Sequence, residues 1–333
     1  MNVLEELRLE LRRILEYQNG EEKEFSLVLS GFEVAQTPRD LIAVDGSYTF
    51  LWNVSSTWLA MVKVGALHFK HTPKGYHVKS LDKLEKAFLI STSEDFPADD
   101  GLYSSIFRFT KGSKEQHREM VNEFRKYYES EVALRAAKSG KELVIALDGT
   151  LASFPKDTDR LGAVVEACED MGHILVGVSK DSATHAFGHR LTDEELLRKE
   201  EGMAFVRVPE DFERRQKGLL HGDVYFSRLH PDSPKWFRVD VGTYKETPQF
   251  ALSHLAAYCS SPLCVGYPYP LFEAHRFAVT VRQMRDMYED TIIREGLGLG
   301  LPLGLLISGL TSMEGERRGA FHEYLDKVTR ELK

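Results

Sequence analysis

The sequence of 333 residues has little cysteine and no long apolar run. Its cysteines, Cys168, Cys259 and Cys264, form no C-x-x-C pair, which argues against a disulfide framework and against a zinc ribbon. The most apolar stretch, residues 296–310, is interrupted by Gly and Pro and is shorter than the ~20 residues of a membrane-spanning helix. Residues 1–18 mix charges into a helical apolar pattern, unlike a signal peptide. We therefore expect a soluble, cytoplasmic protein.

The sequence also has no excess of positive charge: 51 Asp and Glu residues outnumber 43 Lys and Arg residues, for a formal net charge of −8. That balance argues against a surface coated in basic residues for general nucleic-acid binding, but it leaves room for a local basic channel. It fits either a site rich in metal-binding carboxylates or an ordinary soluble surface. No G-x-x-x-x-G-K-[ST] motif occurs, so we do not expect the chain itself to be an ATPase motor.

What the sequence does contain is the periodicity of a mixed α/β domain. The first half predicts strands over 41–47, 56–69 and 75–81, a polar loop over 91–105, a helix over 114–138, a strand over 142–151, a helix over 159–171 and a strand over 173–180. This order combines an antiparallel meander with parallel crossovers, so we expect an α/β fold with a mixed sheet and flanking helices.

The remaining segments give the domain boundaries. Residues 1–37 form an N-terminal helix with a lead-in, residues 38–295 form the main domain, and residues 296–333 form a Gly/Leu segment with a charged last helix. Within the main domain, residues 184–250 are interpreted as an insertion of helical segments and short antiparallel strands on the same sheet. Two further helices are expected near 248–258 and over about 270–294.

Two nearly identical phrases stand about a hundred residues apart: "IAVDGS" at 42–47 and "IALDGT" at 145–150. One interpretation is two buried strands that each end in a turn, since Gly tolerates turn geometry and Asp can bond its local backbone. The other is that two neighbouring strands deliver Asp45 and Asp148 to one edge of the sheet. The rest of the sequence must decide between a structural and a chemical role.

A third carboxylate comes from the helix predicted over 114–138. At 100° per residue, Glu131 lies on the apolar stripe with Met120, Phe124 and Leu134, whereas Glu129 points to the opposite side. A carboxylate on an apolar stripe costs several kcal/mol unless it is paired or bound to a cation. Glu131 could therefore be salt-bridged at a rim, or it could join Asp45 and Asp148. Three such carboxylates suit Mg²⁺ or Mn²⁺, and two ions ~4 Å apart can hydrolyse a phosphodiester.

A different interpretation concerns "VIALDGTLASF", which is similar to the first strand of the haloacid dehalogenase phosphatases. In that superfamily the strand ends in Asp-x-Asp-Gly-Thr, and its first Asp is the nucleophile. Here Ala146 occupies the nucleophile position, and a phosphoaspartate cannot form on alanine. The sequence also leaves open a non-catalytic assembly module whose acidic cluster is structural.

The strand order, together with "AVDGS", a Glu on the following helix and "ALDGT", resembles the ribonuclease H-like nucleases. More narrowly it resembles the NurA family, the nuclease partner of the HerA DNA translocase in prokaryotic end processing. "VGVSKDS" at 176–182 and "GYPYPLFEAHR" at 266–276 resemble later motifs of that family, in the same order. The resemblance implies a ribonuclease H-like mixed sheet, with the main domain as the nuclease domain.

The resemblance also implies a site and an activity. Asp45, Glu131 and Asp148 would be metal ligands, His275 a fourth ligand or proton-transfer group, and Lys180 would stabilise a phosphate; all five would be catalytic. The cofactor would be Mn²⁺ or Mg²⁺, with two ions. The implied activity is 5′-to-3′ exonuclease with single-strand endonuclease action in DNA end resection and repair, by a homodimer that docks on a HerA-type hexameric ATPase.

Two further sets of side chains could have either a binding role or a purely structural one. Tyr48, Phe50 and Trp52 alternate along a strand and could stack on DNA bases or form a cross-strand aromatic cluster. His185 and His189 have the spacing of a helical metal pair, but "HAFGH" lacks the Glu of the zinc-protease motif. We expect these histidines to be surface or structural residues.

Overall fold

A computed structural model describes residues 3–19, 27–72, 75–96, 101–152, 160–189, 191–215, 219–242 and 245–311. The first half contains α1 (Val3–Asn19), β1 (Ser30–Gly31), β2 (Leu41–Val54), β3 (Thr57–Thr72), β4 (Gly75–Ser91), α2 (Gly101–Thr110), α3 (Gln116–Ala137), β5 (Val144–Asp148), α4 (Arg160–Met171) and β6 (Ile174–Ser179). Most of these elements match the sequence prediction. Four differ: β1 was not expected, β2 and β4 run well beyond residues 47 and 81, and α2 begins within the predicted polar loop.

The second half contains α5 (Asp193–Leu197), β7 (Ala204–Arg207), α6 (Glu210–Arg215), β8 (Asp223–Arg228), β9 (Phe237–Val241), α7 (Pro248–Ala256), α8 (Tyr269–Gln283), α9 (Arg285–Gly298) and α10 (Leu303–Ser308). The single helix expected over 270–294 is wrong, because the backbone leaves the helical conformation at Met284, with ψ of 8°. The predicted last helix lies outside the described residues beyond 311. No helix within the described ranges is long and apolar enough to cross a membrane.

One nine-stranded sheet organises the domain, in the order β1-β7-β8-β9-β6-β5-β2-β3-β4. Strands β2, β3 and β4 form the expected antiparallel meander, and β5 and β6 follow as parallel neighbours of β2 and β5. Strands β7, β8 and β9 come from the predicted insertion and extend the sheet beyond β6 as an antiparallel block. The insertion therefore adds to the existing sheet.

Each face of the central strands is covered by helices. Because side chains alternate along a strand, Ile42 and Val44 of β2 enter the core beneath α3 and α4, while Leu41 and Ala43 enter the core beneath α7 and α8. All four are at most 3% exposed. The sheet is thus sandwiched between two helical layers, and a group at the end of a central strand can be reached from both.

Phe50 belongs to the core on the α3 side and is fully buried. Its ring centroid lies 5.8 Å from Tyr48 and 5.4 Å from His117. This contact pattern favours the aromatic-cluster interpretation for Phe50 over base stacking. His185 and His189 both contact the backbone of Leu191 in their own loop, through its carbonyl and its amide respectively. This fits the structural role expected for them.

Candidate active site

Asp45 and Asp148 lie side by side, although only one of them ends a strand. β5 stops at Asp148, and its parallel ladder with β2 ends at the pair Val44 and Leu147. β2 continues past that point, paired with β3 alone, so Asp45 is a mid-strand residue opposite Gly65. The prediction that the first Asp-Gly ends a strand is therefore wrong. The two aspartates still meet, because each directly follows the last residue of its strand that pairs in the β2–β5 ladder.

The two glycines that follow these aspartates serve different purposes. Gly149 has a φ of +117° and forms the turn that takes the chain away from β5. Gly46 stays in the extended strand and leaves room for a neighbour: a Cβ on it would lie 2.7 Å from Oε1 of Glu129. The repeated phrase therefore encodes one turn and one close approach.

Glu129, and not Glu131, is the helical carboxylate that reaches this position. Glu129 is 7% exposed and accepts a hydrogen bond from the guanidinium of Arg125, one turn earlier on α3. Glu131 instead forms an ion pair with Arg160 at 3.2 Å, and its side chain is 33% exposed. The expected placement of Glu131 beside the aspartates is therefore not what the structure shows.

The physical reason lies in the residues that α3 presents to the sheet. Val132, Ala133 and Ala136 are buried and small, and they let the helix approach the strands along the side that also carries Glu129. The predicted stripe followed the largest apolar residues, Met120 and Phe124, which are also buried: Phe124 packs against Phe88 of β4 and Tyr103 of α2, on another side of the helix. Buried small residues were the signal that could have identified Glu129.

His275 comes from α8, which covers the opposite face of the sheet. Its Nδ1 lies 2.8 Å from Oδ2 of Asp45 and 3.9 Å from Oδ2 of Asp148. α8 comes this close because Gly65 has no side chain: a Cβ there would lie 2.4 Å from the Phe277 ring. The side chain of His275 remains 45% exposed, so the imidazole lines the open side of the site.

Asp148 has two further partners. Lys180, directly after β6, donates from its ammonium to Oδ2, and Tyr267 donates its hydroxyl to Oδ1 at 3.1 Å. Burial, followed by the charges of Asp148 and Asp45, raises the pKa of Tyr267 well above its usual value, so the hydroxyl keeps its proton. The quoted motif "GYPYPLFEAHR" contained Tyr267, but the sequence analysis assigned no site role to it.

The acidic groups of the site raise one another's pKa values. Burial is the main cause that raises the pKa of Asp148 to about 6, and the neighbouring charge of Asp45 adds to it while Lys180 opposes it. Burial likewise raises the pKa of Glu129 to about 8; Arg125 opposes this rise, and Asp45 adds to it. The site therefore holds more buried negative charge than its two basic side chains offset.

This arrangement can hold a divalent cation. Asp45, Asp148 and His275 each offer a ligand atom, and the three atoms lie within 4.8 Å of one another. Carboxylate oxygens with one imidazole form a donor set suited to Mn²⁺ or Mg²⁺. The raised pKa of Asp148 supports this fit, because a cation would relieve the repulsion that raises it.

We predict that the metal-free protein loses stability as pH rises from about 5 to 8. The pKa of Glu129 is about 8 in the folded protein and 4.5 for an ordinary glutamate, so in this range the folded chain retains a proton that the unfolded chain has released. Asp148 acts in the same direction up to about 6. Urea unfolding at several pH values in EDTA measures the slope. We expect Mn²⁺ to flatten it, and a metal-free slope of the opposite sign would contradict the prediction.

Comparison with known proteins gives an independent view. A family model described as the NurA domain matches residues 39–280, which is most of the chain. The crystal structure of the NurA nuclease from Sulfolobus solfataricus is similar, with a TM-score of 0.54 and 16% identity, covering 88% of this chain and 96% of that one. The catalytic domain of human endonuclease V aligns with a TM-score of 0.37 and 15% identity, covering 90% and 99%. Among curated proteins the sequence comparison finds no match.

The first of these likenesses bears on the fold. With the strand order β4-β3-β2-β5-β6, it confirms the ribonuclease H-like mixed sheet that the sequence predicted. The family match spans the strands and helices that carry Asp45, Glu129, Asp148, Lys180 and His275.

Proposed function

Because this chain belongs to the NurA family, we propose that it is a metal-dependent deoxyribonuclease that hydrolyses phosphodiester bonds. The observation that carries the proposal is the convergence of Asp45, Asp148 and His275 from a mid-strand position, a strand end and a helix. Asp45, Asp148 and His275 would hold a Mn²⁺ or Mg²⁺ ion, and Glu129 would add its charge from the α3 side. When bound, such an ion activates a water and stabilises the leaving oxygen of the phosphodiester; a second ion would share these tasks.

The chain's own groups have distinct roles in this proposal. The backbone amide of Gly46 donates to Oδ1 of Asp45 at 2.7 Å and orients that carboxylate. Tyr267 and Lys180 orient Asp148. His275 lies at the open side, where its ring can hold or transfer a proton at the reacting group. The side chain of Lys180 is 36% exposed, so its ammonium can also contact a phosphate oxygen.

The family resemblance supports finer assignments. We propose 5′-to-3′ exonuclease action with single-strand endonuclease activity, in DNA end resection and repair. We propose that the protein works as a homodimer docked on a HerA-type hexameric ATPase. The sequence has no phosphate-binding loop of the ATPase kind, which supports a partner as the source of energy for translocation.

Cleavage of labelled DNA tests the proposal. Single- and double-stranded oligonucleotides labelled at the 5′ or 3′ end are incubated with Mn²⁺, Mg²⁺ or EDTA, and the products are sized on a gel. We expect cleavage with Mn²⁺ and none with EDTA, because the buried carboxylates need a cation to bind a phosphate. Mononucleotide release from a 5′ label supports the proposed polarity. No cleavage under any metal condition would contradict the nuclease proposal and favour a non-catalytic assembly module.

A chromogenic phosphomonoester serves as the control substrate. Ala146, at the position where a dehalogenase-type phosphatase has its nucleophile, is fully buried in the sheet. We expect no metal-stimulated hydrolysis of this substrate. Efficient hydrolysis without DNA cleavage would instead support phosphatase chemistry.

A further inference from the structure

Arg125 is a cation built into the acidic site. Its side chain is only 19% exposed, and its guanidinium donates to Oε1 of Glu129 one turn further along α3. Nε and Nη2 donate to Oδ1 of Asn122, at 3.2 and 2.8 Å, and so fix the orientation of the guanidinium. Arginine stays charged at any physiological pH, so this positive charge is permanent.

The placement of Glu129 makes such a cation necessary in the metal-free protein. Glu129 is buried beneath Gly46, and the nearby carboxylates of Asp45 and Asp148 repel its charge. A buried carboxylate without a partner is strongly destabilising. Since Lys180 is bound to Asp148, Arg125 is the cation paired with Glu129: it opposes the rise in the pKa of Glu129 and so stabilises its charged form.

A divalent ion at Asp45 and Asp148 would interact with the same carboxylates as Arg125, because the charges of these two aspartates also act on Arg125. Two cations that share one set of carboxylates weaken each other's binding. We propose that Arg125 is the resident counter-cation of this site: it stabilises Glu129 while no ion is bound, and it opposes ion binding, thereby raising the metal concentration at which the site loads. The inference rests on the proposed metal site, and it concerns binding, not cleavage.

Arg125→Gln tests the idea by the sign of its effect on Mn²⁺ affinity. The substitution removes a group that stabilises the metal-free state more than the metal-bound state. By linkage, we expect Mn²⁺ to bind about fivefold or more tightly. The melting temperature should fall clearly in EDTA and much less in saturating Mn²⁺. Affinity is measured without DNA, from the electron paramagnetic resonance signal of free Mn²⁺.

Two comparison variants show whether the charge is responsible. Arg125→Lys keeps the charge, so its Mn²⁺ affinity should stay within about twofold of the wild type. Lys126→Gln removes the neighbouring positive charge, which is 47% exposed and paired with Glu123, and should leave Mn²⁺ affinity unchanged.

Unchanged or weaker Mn²⁺ binding by Arg125→Gln, with equal loss of stability in both conditions, would overturn the proposal, because that result describes a structural arginine. If Arg125→Gln folds only with Mn²⁺, the proposal is supported. If it folds in neither condition, Arg125→Lys decides: a loss of either metal-free stability or Mn²⁺ affinity in that variant overturns it. A wild type that binds no Mn²⁺ overturns it as well. Mn²⁺ binding of the expected pattern without DNA cleavage leaves this inference intact and contradicts the nuclease proposal.

Discussion

Replacing Asp45 by Asn should lower the proposed rate of DNA cleavage on the order of 10³-fold or more. The estimate follows from the several kcal/mol that a bound metal ion contributes to transition-state stabilisation. Asp45 lies at the centre of the site, between His275 at 2.8 Å and the neighbouring Asp148. The same loss is expected for Asp148→Asn. Single-turnover cleavage of labelled DNA at saturating Mn²⁺ measures both effects.

The variants must be shown to fold, and the structure predicts the direction in which the melting temperature of Asp45→Asn should change. Because Asp45 adds to the repulsion that raises the pKa of Asp148 and Glu129, its neutralisation should raise the melting temperature of the metal-free protein. Asp181→Asn is the matched control: this carboxylate is 92% exposed and is paired with Lys235. We expect it to retain activity within about twofold. Cleavage that survives both Asp45→Asn and Asp148→Asn would refute the assignment of the site.

The second prediction compares the two glutamates of α3. Glu129→Gln should reduce cleavage about 10²-fold or more, because it removes a buried carboxyl group that a cation at the aspartates would hold in its ionised form. Glu131→Gln should change it less than about threefold, since that side chain is a third exposed and pairs with Arg160 away from the aspartates. Both substitutions are isosteric and remove one charge from the same helix, so each controls for the other.

The measurement is kcat and KM for the same labelled DNA, with Mn²⁺ titrated for each variant. A Glu129→Gln variant that needs more Mn²⁺ for half-maximal rate would indicate that its charge supports metal loading. The reverse ranking, with Glu131→Gln inactive and Glu129→Gln active, would restore the assignment made from helical periodicity. Equal loss in both variants would contradict the structural placement of Glu131.

Most of the framework of this site could be predicted from the sequence. Two apolar runs that each carry Asp-Gly identified Asp45 and Asp148, and the order of strands and helices identified the mixed sheet. Lys180 and His275 were identified only through the family resemblance, because a lone lysine or histidine carries no local pattern. The structure places both beside the aspartates. Their proposed catalytic roles remain predictions.

The remaining features depended on information that a single sequence does not hold. The choice between Glu129 and Glu131 depends on which side of α3 faces β2, and the periodicity of large residues does not decide it, because α3 is buried on several sides. The length of β2 was misjudged because Gly46 suggested a turn. A glycine in a strand can also indicate that another group comes close, and only the packed structure distinguishes the two cases.

Gly46 has a consequence for how this site could change over time. The space occupied by Oε1 of Glu129 is the space that a methyl group at position 46 would fill. A substitution as small as Gly46→Ala would displace Glu129 while leaving the other ionisable side chains of the site, Asp45, Arg125, Asp148, Lys180 and His275, unchanged. The position of the Glu129 side chain thus depends on the absence of a Cβ at residue 46, and an inactive relative of this protein could keep all of its ionisable residues.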